Sequence, residues 1–396
     1  MVTFLHAADV HLGLRVTRFS ADVARKIQEA RFQSLDNILR LARERSVDFL
    51  VIAGDLFDDN NVDKLTAQRA FEMLASAAVP VYVLPGNHDP FQAGAVWDRP
   101  PWDQSDTGQI RLLLRPEVVS AGPRVDLLPC PLFAKTSLRD PTGWIEPSPN
   151  GRQVLRIGIA HGSLHMRADL PEDDHLIAPG VAVERHLDYL ALGHWHRRFI
   201  FAGPDRVERI AYPGVPEPMR FPESIERTGW QPYSGARDEF LDGGTGEVLL
   251  VGIERPGAVP RIEPIEVGHL RWCEEEHELN GNEDLSRLIA AVATNERPEC
   301  RLLRLRLDGI LDADGMLRLA ELRQILEGRY LFAEIDETRL HVRPTDDEIR
   351  ALAGDGVLRR VLDQLQQEAG NGDPRAARRA ERCIVLMYRL AREIEA

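Results

Sequence analysis

The chain has 396 residues, 43% of them hydrophobic, which implies two or three domains with a sizeable core. Its formal net charge of -14 and pI near 5.4 argue against a general polyanion-binding surface, so any such binding must rest on bound cations and a local basic strip. Four scattered cysteines (Cys130, Cys273, Cys300, Cys383) without a Cys-x-x-Cys read as reduced thiols, and no leader or apolar run of ~20 residues marks a membrane span, so a soluble cytoplasmic protein is expected.

In chain order, Val2–Ala8 reads as a strand and Ala21–Arg45 as a helix with an apolar face at Ile27, Phe32, Leu35, Ile38 and Leu39. Val47–Ala53 is a near-continuous apolar run, the pattern of a strand covered on both faces. A helix over Lys64–Ala78 and a strand over Val79–Leu84 follow, then strands at Leu155–Ala160, Tyr189–Leu192, Glu247–Ile253 and Arg261–Val267. The character changes near Gly268–Glu278. Beyond it, strands at Leu302–Leu307 and Leu340–Val342 and a helix at Leu317–Gly328 describe a smaller α/β unit. From Asp346 the chain reads as helical with a break at Gly370–Pro374, and its last helix carries one apolar stripe through Cys383, Ile384, Met387, Leu390, Ala391 and Ile394. No G-x-x-x-x-G-K-[ST] phosphate loop occurs.

Five strands end in groups that can bind metal: Asp9-Val-His11, Gly54-Asp55, Gly86-Asn87-His88-Asp89, His161-Gly162 and Gly193-His194-Trp-His196. In α/β folds sites gather beyond the carboxyl ends of strands, so segments distant in sequence can converge there. Side chains at i and i+2 of an extended segment point the same way, which lets Asp9 with His11, and His194 with His196, face one cluster. Carboxylate, carboxamide and imidazole together suit Mn, Fe or Zn better than Ca or Mg, and an Asp at the centre can bridge two ions ~3.5–4 Å apart. Each piece alone is a polar loop or a core histidine; five in order, each on a strand end, point to a two-metal phosphoesterase.

The series D-x-H, G-D, G-N-H-D, H-G and G-H-x-H is similar to the calcineurin-like metallophosphoesterase superfamily. ADVHLG, GDLFD, GNHDP, HGS, DYLALGHWH and YPG resemble its double-strand-break repair branch, the SbcD-like exonucleases, and the Val96-Trp97-Asp98-Arg99 segment is closest to YhaO-like members. The motif resemblance spans about residues 1–225 and is loose over the C-terminal third. It implies that Asp9, His11, Asp55 and His196 hold one ion and that Asn87, His161, His194 and the same Asp55 hold the other. It also implies that His88 stabilises or protonates at the scissile phosphate, oriented by Asp89, while a water activated between the cations attacks phosphorus in line. The family's usual metal is manganese; the residues alone leave iron and zinc open. Two departures stand out: Asp58 occupies a position where some members carry His, and VPEPMRFPES after Tyr212-Pro213-Gly214 replaces a Gly-rich loop. Arg220 of that segment is expected to face the phosphate.

Arg15, Arg18, Arg197 and Arg198 follow the first and last motifs and are candidates for the basic strip, against a plain solvated rim. His6, His165, His175 and His186 read as packing or surface residues. The arginine-led last helix packs on its own domain or docks on the coiled-coil base of an SMC-like ATPase, as the resemblance implies; a homodimer through helices near the first motif is a further implication. The fold expected is α/β: a four-layer β-sandwich flanked by helices over 1–268, a small α/β capping domain over 269–345 and a helical segment over 346–396. The function expected is a manganese-dependent DNA nuclease with 3′-to-5′ exonuclease polarity and endonuclease activity. A phosphomonoesterase or small-molecule phosphodiesterase on the same core is the first rival, favoured by the acidic charge. A non-catalytic scaffold is the second, disfavoured because every ligand is present.

Overall fold

In the computed structural model, residues 1–104, 108–148, 153–166, 170–222, 246–353, 356–370 and 373–395 are described. They belong to two units, Met1–Trp272 and Cys273–Ala396. Among the described residues no helix is long and apolar enough to cross a membrane.

The apolar runs of the first unit become buried strands: β1 (Val2–Ala7), β2 (Phe49–Ala53), β3 (Val81–Leu84) and the short β4 (Ile110–Leu112). Between them lie α1 (Ala21–Glu44) and α2 (Lys64–Ala75), the latter started by Asp63, whose carboxylate accepts from the Leu65 and Thr66 amides. A second series follows: β5 (Val119–Ser120), β6 (Val125–Cys130), β7 (Leu155–His161), α3 (Val181–Glu184), β8 (Tyr189–Gly193), β9 (Phe199–Ala202) and β10 (Glu208–Tyr212). Two more strands, β11 (Glu247–Ile253) and β12 (Arg261–Glu266), return to the first sheet. One sheet runs β12-β11-β1-β2-β3-β4 and the other β5-β6-β7-β8-β10-β9. β1 to β4 are mutually parallel, as are β6, β7, β8 and β10, while antiparallel strands close every edge except that formed by β4.

Alternation along the strands decides the layering. Phe4, Phe49, Val51 and Tyr82 of the first sheet meet Leu127, Ile157, Ile159, Tyr189 and Ala191 of the second in one core. Leu5, Ala7, Leu50, Ile52 and Val83 face the other way, onto Phe32, Leu35 and Ile38 of α1 and Ala70 and Leu74 of α2. Leu128, Ala160, Leu190 and Leu192 cover the outer face of the second sheet with Val181 and Ala182 of α3. The order helix, sheet, sheet, helix is the four-layer α/β sandwich expected. β6 was not anticipated because Pro129 interrupts its apolar run. It is tolerated there because β5 pairs only as far as Leu127, which leaves the Pro129 position without a ladder partner on that side.

The second unit contains most of β13 (Arg271–Leu279), then α4 (Asn282–Thr294), β14 (Arg301–Leu311), α5 (Ala313–Arg329) and β15 (Phe332–Val342), with the sheet order β13-β14-β15. β14 and β15 are parallel and joined through α5, and Leu303, Leu305 and Leu307 pack on Leu319, Leu322 and Leu326. The alternate positions of the sheet carry charge: Glu274 pairs with Arg304 and Arg306, and Arg339 with Asp308. Three helices follow, α6 (Asp346–Ala353), α7 (Val357–Ala369) and α8 (Pro374–Glu395). Ile349, Leu362 and Ile384 join them, while Val357, Val361, Leu386 and Leu390 are exposed.

Candidate metal centre

All five motifs stand at carboxyl ends of parallel strands, β1, β2 and β3 in one sheet and β7 and β8 in the other, so the sandwich brings them to one edge. The backbone turns sharply there. Asp9 (φ 54°), His11 (φ 51°), Asp55 (φ 53°) and His194 (φ 107°) all have positive φ, a region that side-chain-bearing residues rarely adopt. Main-chain bonds hold the first two turns together: Asp9 N donates to Gly54 O (3.1 Å) and His11 N to Asp55 O (3.0 Å). Gly86 is required by approach, since a Cβ there would lie 2.1 Å from Asp55 Oδ1.

Two groups of donors result. In the first, His11 Nε2 is 3.2 Å from His196 Nε2, and Asp9 Oδ1 is 4.0 Å from the former and 3.9 Å from the latter. In the second, Asn87 Oδ1 is 2.8 Å from His161 Nε2 and 3.2 Å from His194 Nδ1. Asp55 lies between them, its Oδ2 3.3 Å from His161 Nε2 and 3.8 Å from His11 Nε2. Asp9, His11, Asp55 and His161 are buried, and His194 and His196 are partly open.

The electrostatics are those of a site built around cations. Burial pushes the Asp9 carboxyl up, and the neighbouring Asp55 charge adds to this against His161 and His11. Burial acts the same way on Asp55, but His161, His11 and His88 outweigh it and hold its carboxyl far below the usual range. Burial and the neighbouring His11 ring drive His196 down to about 2. Burial lowers His161, but Asp55 and Asp9 outweigh it and push the ring up to about 9, so a proton is drawn into a cluster whose closest donor atoms stand 2.8–3.3 Å apart. Divalent cations would relieve this arrangement, and the N/O donor set fits Mn, Fe or Zn. Asp9, His11 and His196, and Asp9, Asp55 and His161, are each close enough to ligate one ion.

His88 stands at the open rim, one-third exposed, its Nδ1–H donating to the Asp58 carbonyl oxygen at 2.8 Å, with Asp58 Oδ1 3.8 Å away. The carboxylate beside His88 is thus Asp58, which also lies 3.2 Å from His11 Nδ1, off the line of a hydrogen bond. Asp89 is turned away from the ring: its oxygens accept from Gly86 N (2.7 Å) and Phe57 N (2.9 Å), and burial with the nearby Asp55 charge pushes it up to about 7. The resemblance implies that Asp89 orients His88, but the hydrogen bonds of its two oxygens go to the Gly86 and Phe57 amides instead.

Among the candidate arginines, Arg220 is exposed and its charge helps to lower His196. Arg15 and Arg18 are exposed, Arg18 at 6.0 Å from the Phe19 ring centre, and Arg197 is partly buried. Arg198 pairs with Glu247. Of the additional histidines, His6 and His175 are buried, and His165 and His186 are exposed. Sequence reasoning missed Asp174, whose Oδ1 is 3.0 Å from His194 Nε2; it lies in an acidic run with no spacing that ties it to the last motif.

Two mixed sheets packed face to face, with N/O donors gathered at their common edge, have the architecture of a metallophosphoesterase domain. Residues 2–198 match the calcineurin-like phosphoesterase family, and the chain carries a domain of that family. It is 30% identical over 291 residues to the DNA double-strand break repair protein Mre11 of Methanopyrus kandleri, covering 68% of this chain and 60% of that protein. It is 28% identical over 241 residues to the uncharacterized metallophosphoesterase YhaO of Bacillus subtilis, 57% of this chain and 56% of that protein. Mre11 of Sulfurisphaera tokodaii is 26% identical over 230 residues, 56% of this chain and 55% of that protein. The chain therefore spans between 55% and 60% of the length of these relatives. These likenesses agree with the resemblance to the SbcD-like and YhaO-like branch.

Proposed function

We propose that this protein is a two-metal nuclease that hydrolyses phosphodiester bonds of DNA, with manganese as its metal and 3′-to-5′ exonuclease polarity. The observation that carries the reading is the convergence of seven donors, Asp9, His11, Asp55, Asn87, His161, His194 and His196, beside one rim histidine. Likeness to Mre11, a DNA double-strand break repair protein by its name, supports DNA as substrate.

Asp9, His11, His196 and Asp55 would hold one ion, and Asn87, His161, His194 and Asp55 the other. Bound there, the cations supply charge neutralisation at the phosphoryl oxygens and an activated water. The chain's own part is positioning and proton transfer. With Nδ1–H tied to the Asp58 carbonyl, His88 turns Nε2 to the rim, and its imidazolium form, protonated on both nitrogens, can donate from there to the departing oxygen. Arg15, Arg18, Arg197 and Arg220 would guide a strand past this rim, which an otherwise acidic surface needs. Residues 269–345 would cap the substrate and the helices of 346–396, with their exposed Val357, Val361, Leu386 and Leu390, would face an SMC-like ATPase. A homodimer through α1 and cytoplasmic residence complete the reading.

The test is manganese-dependent digestion of 3′-labelled and 5′-labelled duplexes, paired with His88→Ala. Digestion from the 3′ end by wild type, lost in the mutant while both ions stay bound, is the expected outcome. The net charge of -14 favours a small substrate instead. Intact DNA alongside rapid release of p-nitrophenol from its phosphate esters would establish that rival.

A further inference from the structure

We propose that Asp174 is a positioning residue for His194, the member of a hydrogen-bonded row Trp195–Ser163–Asp174–His194 that decides which ring nitrogen of His194 faces the metal centre. The inference rests on the metal-centre reading above, but not on the nuclease activity.

The directions of the bonds follow from donor chemistry alone. The Trp195 indole N–H can only donate, and it lies 2.9 Å from Ser163 Oγ. The serine hydroxyl therefore accepts from Trp195 and turns its own proton to Asp174 Oδ2, 2.5 Å away. An aspartate at neutral pH only accepts, so the proton between Asp174 Oδ1 and His194 Nε2 (3.0 Å) belongs to the imidazole. With its proton on Nε2, His194 presents the Nδ1 lone pair to the side where Asn87 Oδ1 and His161 Nε2 meet. A carboxylate behind a ligating imidazole fixes tautomer and ring orientation and raises the basicity of the ligand.

The row is anchored at both ends. Trp195 stacks on Tyr212, with ring centres 4.6 Å apart, and the Tyr212 hydroxyl donates to Gly162 O and accepts from Leu164 N, each at 2.8 Å. The segment bearing Asp174 is laid along the end of β7 by Ser163 N to Asp174 O (3.3 Å) and Ile177 N to Ser163 O (2.8 Å). A Cβ on Gly162 would sit 2.3 Å from the His175 carbonyl oxygen, so only glycine lets the two segments approach this closely. One motif residue, the tryptophan between the last two histidines, thus supports the first of those histidines through two intermediaries.

The experiment titrates metal-free full chain with Mn2+ by calorimetry, comparing wild type, His194→Ala, Asp174→Ala, Asp174→Asn, Ser163→Ala and the neighbouring Asp173→Asn, with melting of each metal-free form to verify folding. Wild type should bind two ions. Asp174→Ala should weaken one of them about 10- to 100-fold, the same ion that His194→Ala removes. Asp174→Asn, whose carbonyl still accepts from Nε2–H, should recover much of that loss, and Asp173→Asn should match wild type. Unaltered affinity in Asp174→Ala would overturn the proposal. So would equal losses in the Asn and Ala variants, since charge rather than an acceptor would then matter, as for a direct ligand. If Asp174→Ala does not fold, Ser163→Ala decides: a weakened ion upholds the row and wild-type affinity refutes it. No DNA enters the titration, so failure of the nuclease reading would leave this pattern unaltered.

Discussion

His161 Nδ1 donates to the carbonyl oxygen of Ala53 at 2.9 Å, and a carbonyl can only accept, so Nε2 is the nitrogen turned to Asn87 Oδ1 and Asp55 Oδ2. The last residue of β7 is thereby oriented by the last residue of β2, across the interface of the two sheets.

That orientation depends on Gly54. A Cβ there would stand 2.1 Å from His161 Nδ1, and its φ of +93° is unfavourable to any other residue. Gly54→Ala should lower stability by roughly 1–3 kcal/mol through backbone strain and also displace His161. Urea denaturation of the metal-free chain measures the first effect, and a stoichiometry below two ions at a concentration that saturates wild type measures the second.

His88 and Asp89, adjacent in sequence, should give opposite phenotypes. His88→Ala is expected to keep both ions and the native melting temperature while DNA hydrolysis falls by about 10²–10⁴. Asp89→Ala leaves the Phe57 and Gly86 amides without their acceptor in a buried site, which should cost roughly 1–3 kcal/mol of stability before any effect on chemistry. Single-turnover kinetics and denaturation of both variants separate the two. An Asp89→Ala protein of native stability would contradict this assignment.

His6 should make the fold acid-sensitive. It is buried between the sheets beside the Tyr189 hydroxyl (3.0 Å), and burial drives it from 6.5 to about 3. Between those values the unfolded chain binds a proton at His6 and the folded chain does not, so stability falls as pH drops through that window, by up to ~1.4 kcal/mol per unit. In His6→Gln this contribution is absent. Denaturation midpoints between pH 7 and 4 should accordingly decline less steeply than in wild type, and parallel profiles would exclude His6 as the sensor.

Glu217 closes the first unit. Its buried carboxylate accepts from Ser34 Oγ (2.5 Å), His269 N (2.7 Å) and Leu270 N (3.1 Å), tying α1 to the chain beyond β12. Glu217→Ala strands these donors and should destabilise the protein by roughly 2–4 kcal/mol. The expected signature is a lower urea midpoint with little alteration of metal binding.

The buried strands and the donors that follow β1, β2, β3, β7 and β8 were legible in the sequence, because apolar runs and the polar motifs that end them are local properties of the chain. From them came the α/β class and the set of side chains that meets at one edge, while the four-layer sandwich was an implication of the resemblance. The extended i, i+2 geometry expected for Asp9 with His11 and for His194 with His196 is not what the structure has, since Asp9, His11 and His194 lie in positive-φ turns beyond their strands. Strands β6 and β10 and the full length of β15 were not legible, because Pro129 masks the first, the second is short and charges alternate along the third. Helix α4 was passed over although Leu285, Leu288, Ile289 and Val292 fall at helical spacing. Nor could sequence order reveal that Asp58, three residues from Asp55, lies beside His88, that Asp89 serves the backbone, or that Asp174 backs His194. Those partnerships are made where two sheets and their loops pack. Which acceptor a ring nitrogen finds depends on the distance between segments far apart in the chain, and no local pattern encodes that distance.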